Sequence, residues 1–202
     1  MQLSRDGAAA AAVLAVSLSL ISCAAAAAGV DIEAGRQKAL VCFACHGPEG
    51  NSANPVMPTL AGQPAQFISI ELLQFREGNR KDPQMTPLAA KLTNADMNDL
   101  AAYFSAQNPR PPSHKTDPAN AAIAPKLAEQ FNCVQCHGKA LLGQQHIPRL
   151  AGQQFEYMRM QLRGFKAQTR ADLDGNMTSA AQALSENDID ALVDYIAGLG
   201  AL

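Results

Sequence analysis

Cys42-Phe43-Ala44-Cys45-His46 returns later in the chain as Cys133-Val134-Gln135-Cys136-His137. Two thiols three positions apart sit on one helical turn and point the same way. They can add as thioethers across the two vinyl groups of one haem. The histidine that follows then projects at the iron as its proximal ligand. A thioredoxin-like redox pair would sit in a βαβ pattern, and no strand pattern flanks either copy. A zinc site built from Cys42, Cys45, Cys133 and Cys136 fits the pairwise spacing but leaves His46 and His137 without a task. The expected cofactor is therefore haem c, bound covalently twice.

The repeat extends well beyond these pentapeptides. Ile32, Leu40, Cys42 and His46 match Ile123, Phe131, Cys133 and His137 at an offset of 91 residues. Pro58-Thr59-Leu60-Ala61-Gly62-Gln63 matches Pro148-Arg149-Leu150-Ala151-Gly152-Gln153 at 90. Phe67, Leu72, Phe75 and Arg80 match Tyr157, Leu162, Phe165 and Arg170 at the same offset. Met85, Met97, Leu100 and Tyr103 match Met177, Ile189, Leu192 and Tyr195 at 92. The shifts fall in loop-like stretches, as insertions should. The chain is a tandem duplication of one domain.

Each copy reads as all-α. A first helix is expected over about residues 31–46 and its partner over about 120–137, with Ile123, Leu127 and Phe131 as a buried stripe. A middle helix follows Gln63. The last helix opens at Thr93-Asn94-Ala95-Asp96 and, in the second copy, at Ser185-Glu186-Asn187-Asp188, both capping boxes with Asp in place of Glu. Behind them run Met97, Leu100, Ala101, Phe104 and Ile189, Leu192, Val193, Ile196 as one-sided stripes. The expected division is residues 29–108 for the first domain, 109–118 for a proline-rich, stiff linker, and 119–202 for the second.

The 202 residues include seven Phe, three Tyr and no Trp, so aromatic filler is scarce. Two domains of this size have marginal cores, and a buried haem in each would add apolar mass. A net charge of −2 supplies no basic patch for nucleic acid. Four of the five cysteines lie in the motifs, so no disulfide framework is implied. Residues 1–28 read as a signal peptide, with Arg5, an apolar run from Ala8 to Ile21 and an alanine stretch offering several A-x-A cleavage sites. Leu20-Ile21-Ser22-Cys23 offers a lipoprotein box instead, with a lipid on Cys23. Either route exports the chain.

The sixth iron ligand can be chosen by comparing the copies. Met57, Met97, Met158 and Met160 each face an isoleucine in the other copy, a swap that core packing permits. Met85 and Met177 face each other, in expected loops 39 and 40 residues beyond their histidines. His114 and His146 have no counterparts, which argues against bis-histidine ligation. A neutral thioether stabilises ferrous iron and raises the potential, and two axial ligands close the iron to substrates. That is electron transfer rather than catalysis, and it counts against a dihaem peroxidase. Pro58 and Pro148 are placed to offer carbonyls to the histidines. Arg80 and Arg170 are candidates for haem propionates. Tyr103 and Tyr195 read as core residues with a lesser claim on the haem wall.

The pattern resembles the dihaem cytochrome c4 family over essentially the whole mature chain. The resemblance rests on Cys-Phe-Ala-Cys-His-Gly (42–47), Pro-Thr-Leu-Ala-Gly-Gln (58–63), Phe75-Arg76-Glu77-Gly78-Asn79-Arg80, Met85, and Ala191-Leu192-Val193-Asp194-Tyr195. It implies two class I cytochrome c domains, their haem edges close together. Cys42, Cys45, His46 and Met85 would bind one haem, and Cys133, Cys136, His137 and Met177 the other. It also implies a periplasmic carrier between a quinol-oxidising complex and a terminal oxidase. A dihaem subunit of a dehydrogenase, flavocytochrome-like, looks the same in sequence. The loop after His137 departs from the pattern: it lacks the Pro-Glu-Gly of residues 48–50 and is one residue shorter to Pro148.

Overall fold

A computed structural model describes residues 29–200; the expected signal peptide, its cleavage sites and Cys23 lie outside them. Among the described residues ten α-helices alternate with loops: α1 Ile32–Ala39, α2 Phe43–His46, α3 Ala65–Arg76, α4 Met85–Ala89, α5 Asn94–Ser105, then α6 Pro118–Gln130, α7 Cys133–His137, α8 Phe155–Lys166, α9 Asn176–Gln182 and α10 Glu186–Ala197. Among the described residues the β-structure is one isolated bridge, Gln144 to Ile147. No described helix is long and apolar enough to cross a membrane.

The first helix of each copy is shorter than its pattern suggested. It ends at Ala39, or at Gln130, and the chain turns before the C-x-x-C-H segment begins a separate helix. At Asn132 the turn uses a left-handed backbone, φ 58°. Continued straight at 3.6 residues per turn, His46 would fall within about 20° of Ala39, on the face pressed to α5. The turn re-aims it. Periodicity could not show this, because Leu40, Val41 and Phe131 keep the stretch apolar through the break.

The stripe in α6 is also displaced. Ala124 and Ala128 are buried, whereas Ile123 is half exposed. In α1 the buried residues are Gly35 and Ala39, so small residues, not large ones, face the terminal helices. The reason is close approach: a Cβ on Gly35 would sit 2.1 Å from the Asp99 carbonyl oxygen. The terminal helices α5 and α10 form as expected. In both capping boxes the Ser or Thr hydroxyl accepts from the amide of the third helical residue, an aspartate, whose carboxylate accepts in return. Met97, Leu100, Ala101 and Phe104 are buried in one core, and Ile189, Leu192, Val193 and Ile196 in the other.

The loops after the two histidines differ and compensate. The carbonyls of Gly50 and Leu141 accept the same pair of amides, from Leu60 and Ala61 and from Leu150 and Ala151. Both residues have positive φ, 77° and 54°. A Cβ on Gly50 would lie 2.8 Å from the Phe104 ring. In the second copy Ile196 replaces that phenylalanine, and the buried Leu141 fills the room.

The connector is extended and fastened at both ends. Asn51 donates from Nδ2 to the Asn108 carbonyl at 3.1 Å and accepts from the Arg110 amide at 2.7 Å. His114 pairs with Asp194 at 2.7 Å and stacks on Phe155 with centroids 5.1 Å apart. Pro118, expected in the linker, is the first residue of α6, with Asp117 as its N-cap. Proline suits that position because its missing N–H has no partner to lose.

Between the halves two glutamines exchange places. Gln63 donates to the Arg149 carbonyl at 2.8 Å and accepts from the Arg149 amide at 2.9 Å. Gln153 donates to the Thr59 carbonyl at 2.9 Å and accepts from the Thr59 amide at 2.7 Å. All four residues are buried.

Candidate functional site

The eight residues singled out from sequence line one cavity of about 830 Å³. Each half contributes one C-x-x-C-H helix and one methionine to it. His46 and His137 are only 6% and 4% exposed. Their Nδ1 atoms lie 2.9 Å and 2.8 Å from the carbonyl oxygens of Pro58 and Pro148. Burial pushes both imidazoles below the usual histidine value, with the proline carbonyls acting in the opposite sense. The ring is held neutral with its proton on Nδ1, which leaves the Nε2 lone pair for a metal.

None of the four motif cysteines is joined to another in a disulfide. Cys42 and Cys133 are half-buried, whereas Cys45 and Cys136 are exposed. Each pair thus spans from the interior to the surface. No group of three or more His, Cys, Asp or Glu side chains among the described residues is arranged to hold a metal ion, which removes the four-cysteine zinc reading. Thiols paired three apart, one imidazole with a free lone pair and one thioether fit a porphyrin iron.

Met85 and Met177 are not in loops as expected: Met85 opens α4, and Met177 is the second residue of α9. Their backbone amides donate to carboxylates, Met85 to Asp82 at 2.8 Å and Met177 to Asp172 at 2.8 Å. Thr86 and Thr178 bond to the same two aspartates, through the Asp82 amide and the Asp172 carboxylate. This anchoring pair was missed in the sequence, although Asp82 and Asp172 are 90 residues apart. The offset changes to 92 between aspartate and methionine, which hid the match.

Arg80 and Arg170 meet across the interface. Both pair with Glu71, Arg170 at 3.3 Å, and both donate to Gln161, at 3.0 and 2.6 Å. They lie over the rings of Phe75 and Phe165. Glu71 and Gln161 are equivalent positions, so two guanidinium ions share one carboxylate. Burial lowers both arginines; Tyr157 and Glu71 more than reverse this for Arg80, while Arg170 stays below the usual value beside Arg80. The Arg170 Nε is buried without a partner. Tyr103 and Tyr195 lie in the two cores. His146 lines the cavity 3.9 Å from Asp174, and His114 is engaged in the connector.

A duplicated helical unit that presents a C-x-x-C-H helix, a carbonyl-anchored imidazole and a thioether to a shared cavity defines a tandem c-type cytochrome. The family described as Cytochrome c matches residues 32–107 and 121–200. Cytochrome c4 of Thiocapsa roseopersicina is 40% identical over 181 residues, covering 84% of this chain and 93% of that one. The crystal structure of reduced recombinant cytochrome c4 from Pseudomonas stutzeri superposes with a TM-score of 0.79 at 34% identity, covering 85% of this chain and all of that one. A protein named thiosulfate dehydrogenase electron acceptor, from Stutzerimonas stutzeri, is 34% identical over 174 residues and 80% of each chain. The chain belongs to the cytochrome c4 family. It carries two covalently bound haem c groups in two tandem cytochrome c domains, and it is an electron carrier rather than an enzyme.

Proposed function

We propose that Cys42, Cys45, His46 and Met85 bind one haem and Cys133, Cys136, His137 and Met177 the other. The protein then carries single electrons in the periplasm, from a quinol-oxidising complex to a terminal oxidase. One observation carries the site assignment: all eight side chains, from two halves of the chain, face one cavity. The haem supplies a one-electron iron(III)/iron(II) couple. The chain's own residues keep that couple closed. The proline carbonyls fix the tautomer and ring angle of each histidine, and Asp82 and Asp172 fix the backbone that presents each methionine. Residues 1–28 act as the export signal, followed by domains over 29–108 and 119–202.

The test is spectroscopic. Replacing Met85 or Met177 with Ala should remove part of the near-infrared sulfur-to-iron absorption of the oxidised protein and lower one reduction step. An unchanged spectrum in both variants overturns the assignment. A second reading, an electron-accepting partner of a dehydrogenase, is favoured by the relative named thiosulfate dehydrogenase electron acceptor. Copurification with a dehydrogenase chain and reduction by its substrate would select it; reduction by a quinol-oxidising complex alone would select the first.

A further inference from the structure

Gln63 and Gln153 do more than join the halves, because the backbone groups they hold belong to the peptide units that also hold the two buried histidines. The carbonyl that meets His46 Nδ1 at 2.9 Å is that of Pro58. It shares one planar amide with the Thr59 N–H, and that N–H donates to Gln153 Oε1 at 2.7 Å. The arrangement repeats in the other direction. His137 Nδ1 lies 2.8 Å from the Pro148 carbonyl. The N–H of that same amide, on Arg149, donates to Gln63 Oε1 at 2.9 Å. In a trans amide the carbonyl and the N–H point opposite ways. Each unit therefore has an imidazole on one edge and a glutamine from the other half on the opposite edge.

The partners fix which way both carboxamides point, since a backbone N–H only donates and a carbonyl only accepts. Gln153 meets the Thr59 amide with Oε1 and the Thr59 carbonyl with Nε2, and Gln63 does the same at Arg149. His46, Thr59, Gln63, His137, Arg149 and Gln153 are all buried. In such surroundings hydrogen bonds in a chain polarise one another, by about 10–30% per bond. An acceptor on the N–H draws charge onto the carbonyl oxygen of the same amide. That oxygen then holds the imidazole proton more firmly, which makes the imidazole a stronger donor to a metal.

Resting on the haem assignment above, we propose that Gln63 and Gln153 are positioning residues that act crosswise: each strengthens, through one peptide unit, the axial histidine of the opposite half. The donor strength of each imidazole then depends on how the two domains dock, and not on its own half alone.

The experiment is proton NMR of the reduced, diamagnetic holoprotein, read at the ring N–H resonances of His46 and His137. Gln153→Met keeps the length of the side chain and removes the acceptor. It should move the His46 ring N–H upfield and leave that of His137 in place; Gln63→Met should do the reverse. Gln154→Ala is the control for a merely loosened seam. The Gln154 side chain donates across it to the Ser52 carbonyl at 2.7 Å and the Thr59 hydroxyl at 3.4 Å, but not to the Thr59 backbone, so its loss should move neither ring resonance. Gln153→Asn and Gln63→Asn, too short to reach but able to hold a water, carry the test where a methionine variant does not accumulate as folded protein. They should shift the same resonances in the same direction by less. Ring N–H resonances that stay put in the glutamine variants, or that move together in a variant or in the control, overturn the proposal. Ring C–H resonances of His46 and His137 that lack, in the parent protein, the upfield displacement a porphyrin ring current imposes on an axial ligand overturn the haem assignment instead, so the two failures are distinguishable.

Discussion

Replacing Gln63 with Ala should open the seam between the two domains. The side-chain amide of Gln63 is 2% exposed and satisfies both backbone groups of Arg149, at 2.9 Å and 2.8 Å. Alanine leaves that N–H and that carbonyl buried and unpaired. Each orphaned group costs about 1–3 kcal/mol, so the pair amounts to about 2–6 kcal/mol. Water entering the vacated space would hold the cost near the lower end. The loss should appear in denaturant unfolding of the holoprotein. It should also appear locally in hydrogen exchange, since the Arg149 amide is the donor released. At 1.4 kcal/mol per factor of ten, even the lower bound corresponds to more than tenfold faster exchange at Arg149 wherever exchange proceeds by local opening. Gln153→Ala should do the same at Thr59. The reasoning fails if Arg149 keeps its protection in Gln63→Ala, or if the stability loss is under about 1 kcal/mol, within the range of one ordinary hydrogen bond.

Two further outcomes follow from the geometry. Gly50→Leu should cost about 1–3 kcal/mol by overpacking, because its Cβ would meet the Phe104 ring at 2.8 Å; adding Phe104→Ile should recover part of that loss in denaturant melts, and no recovery would refute the pairing with Leu141 and Ile196. The Thr93 hydroxyl and amide, then the Lys38 ammonium, hold the Asp96 carboxyl down at about 2, against an ordinary value of 3.8. A depressed folded value means the contribution is present above the unfolded value and lost as pH falls through the folded one. Acid titrations of parent and Asp96→Asn should therefore converge between about pH 4 and pH 2; curves that run parallel across that window would contradict it.

Much of the site was legible because its chemistry is local. Five consecutive residues suffice to propose both the covalent anchor and the proximal ligand, and no distant contact is needed to read them. The internal duplication acted as a two-sequence alignment. It set Met85 and Met177, which face each other, apart from the methionines that face isoleucine; of these Met97 and Met158 are buried, whereas Met160 is half exposed. It also pointed to Pro58 and Pro148, whose carbonyls lie 2.9 and 2.8 Å from the histidine rings. The same device misled where the two copies drift in register. The match of Ile32 to Ile123 suggested a buried stripe, but the helices meet through Gly35, Ala39, Ala124 and Ala128. Small residues at a close crossing leave no hydrophobic signal for a periodicity to detect.

Arg80 and Arg170 show the limit of a one-dimensional reading. Each was identifiable as a charge near a methionine, yet that both converge on Glu71 from opposite halves depends on how the domains dock. The reciprocal bonds of Gln63 and Gln153 span 86 and 94 residues and have no sequence signature beyond a repeated glutamine. The same holds for Arg149, which as a letter is one more arginine and in the fold is buried at the seam between the halves. Sequence alone singled out the side chains proposed to bond the cofactor, because covalent attachment and iron ligation are properties of side-chain type and short spacing. Tertiary structure alone decided which charges face one another across the interface, because burial and pairing exist only once the two domains have excluded water from the surface between them.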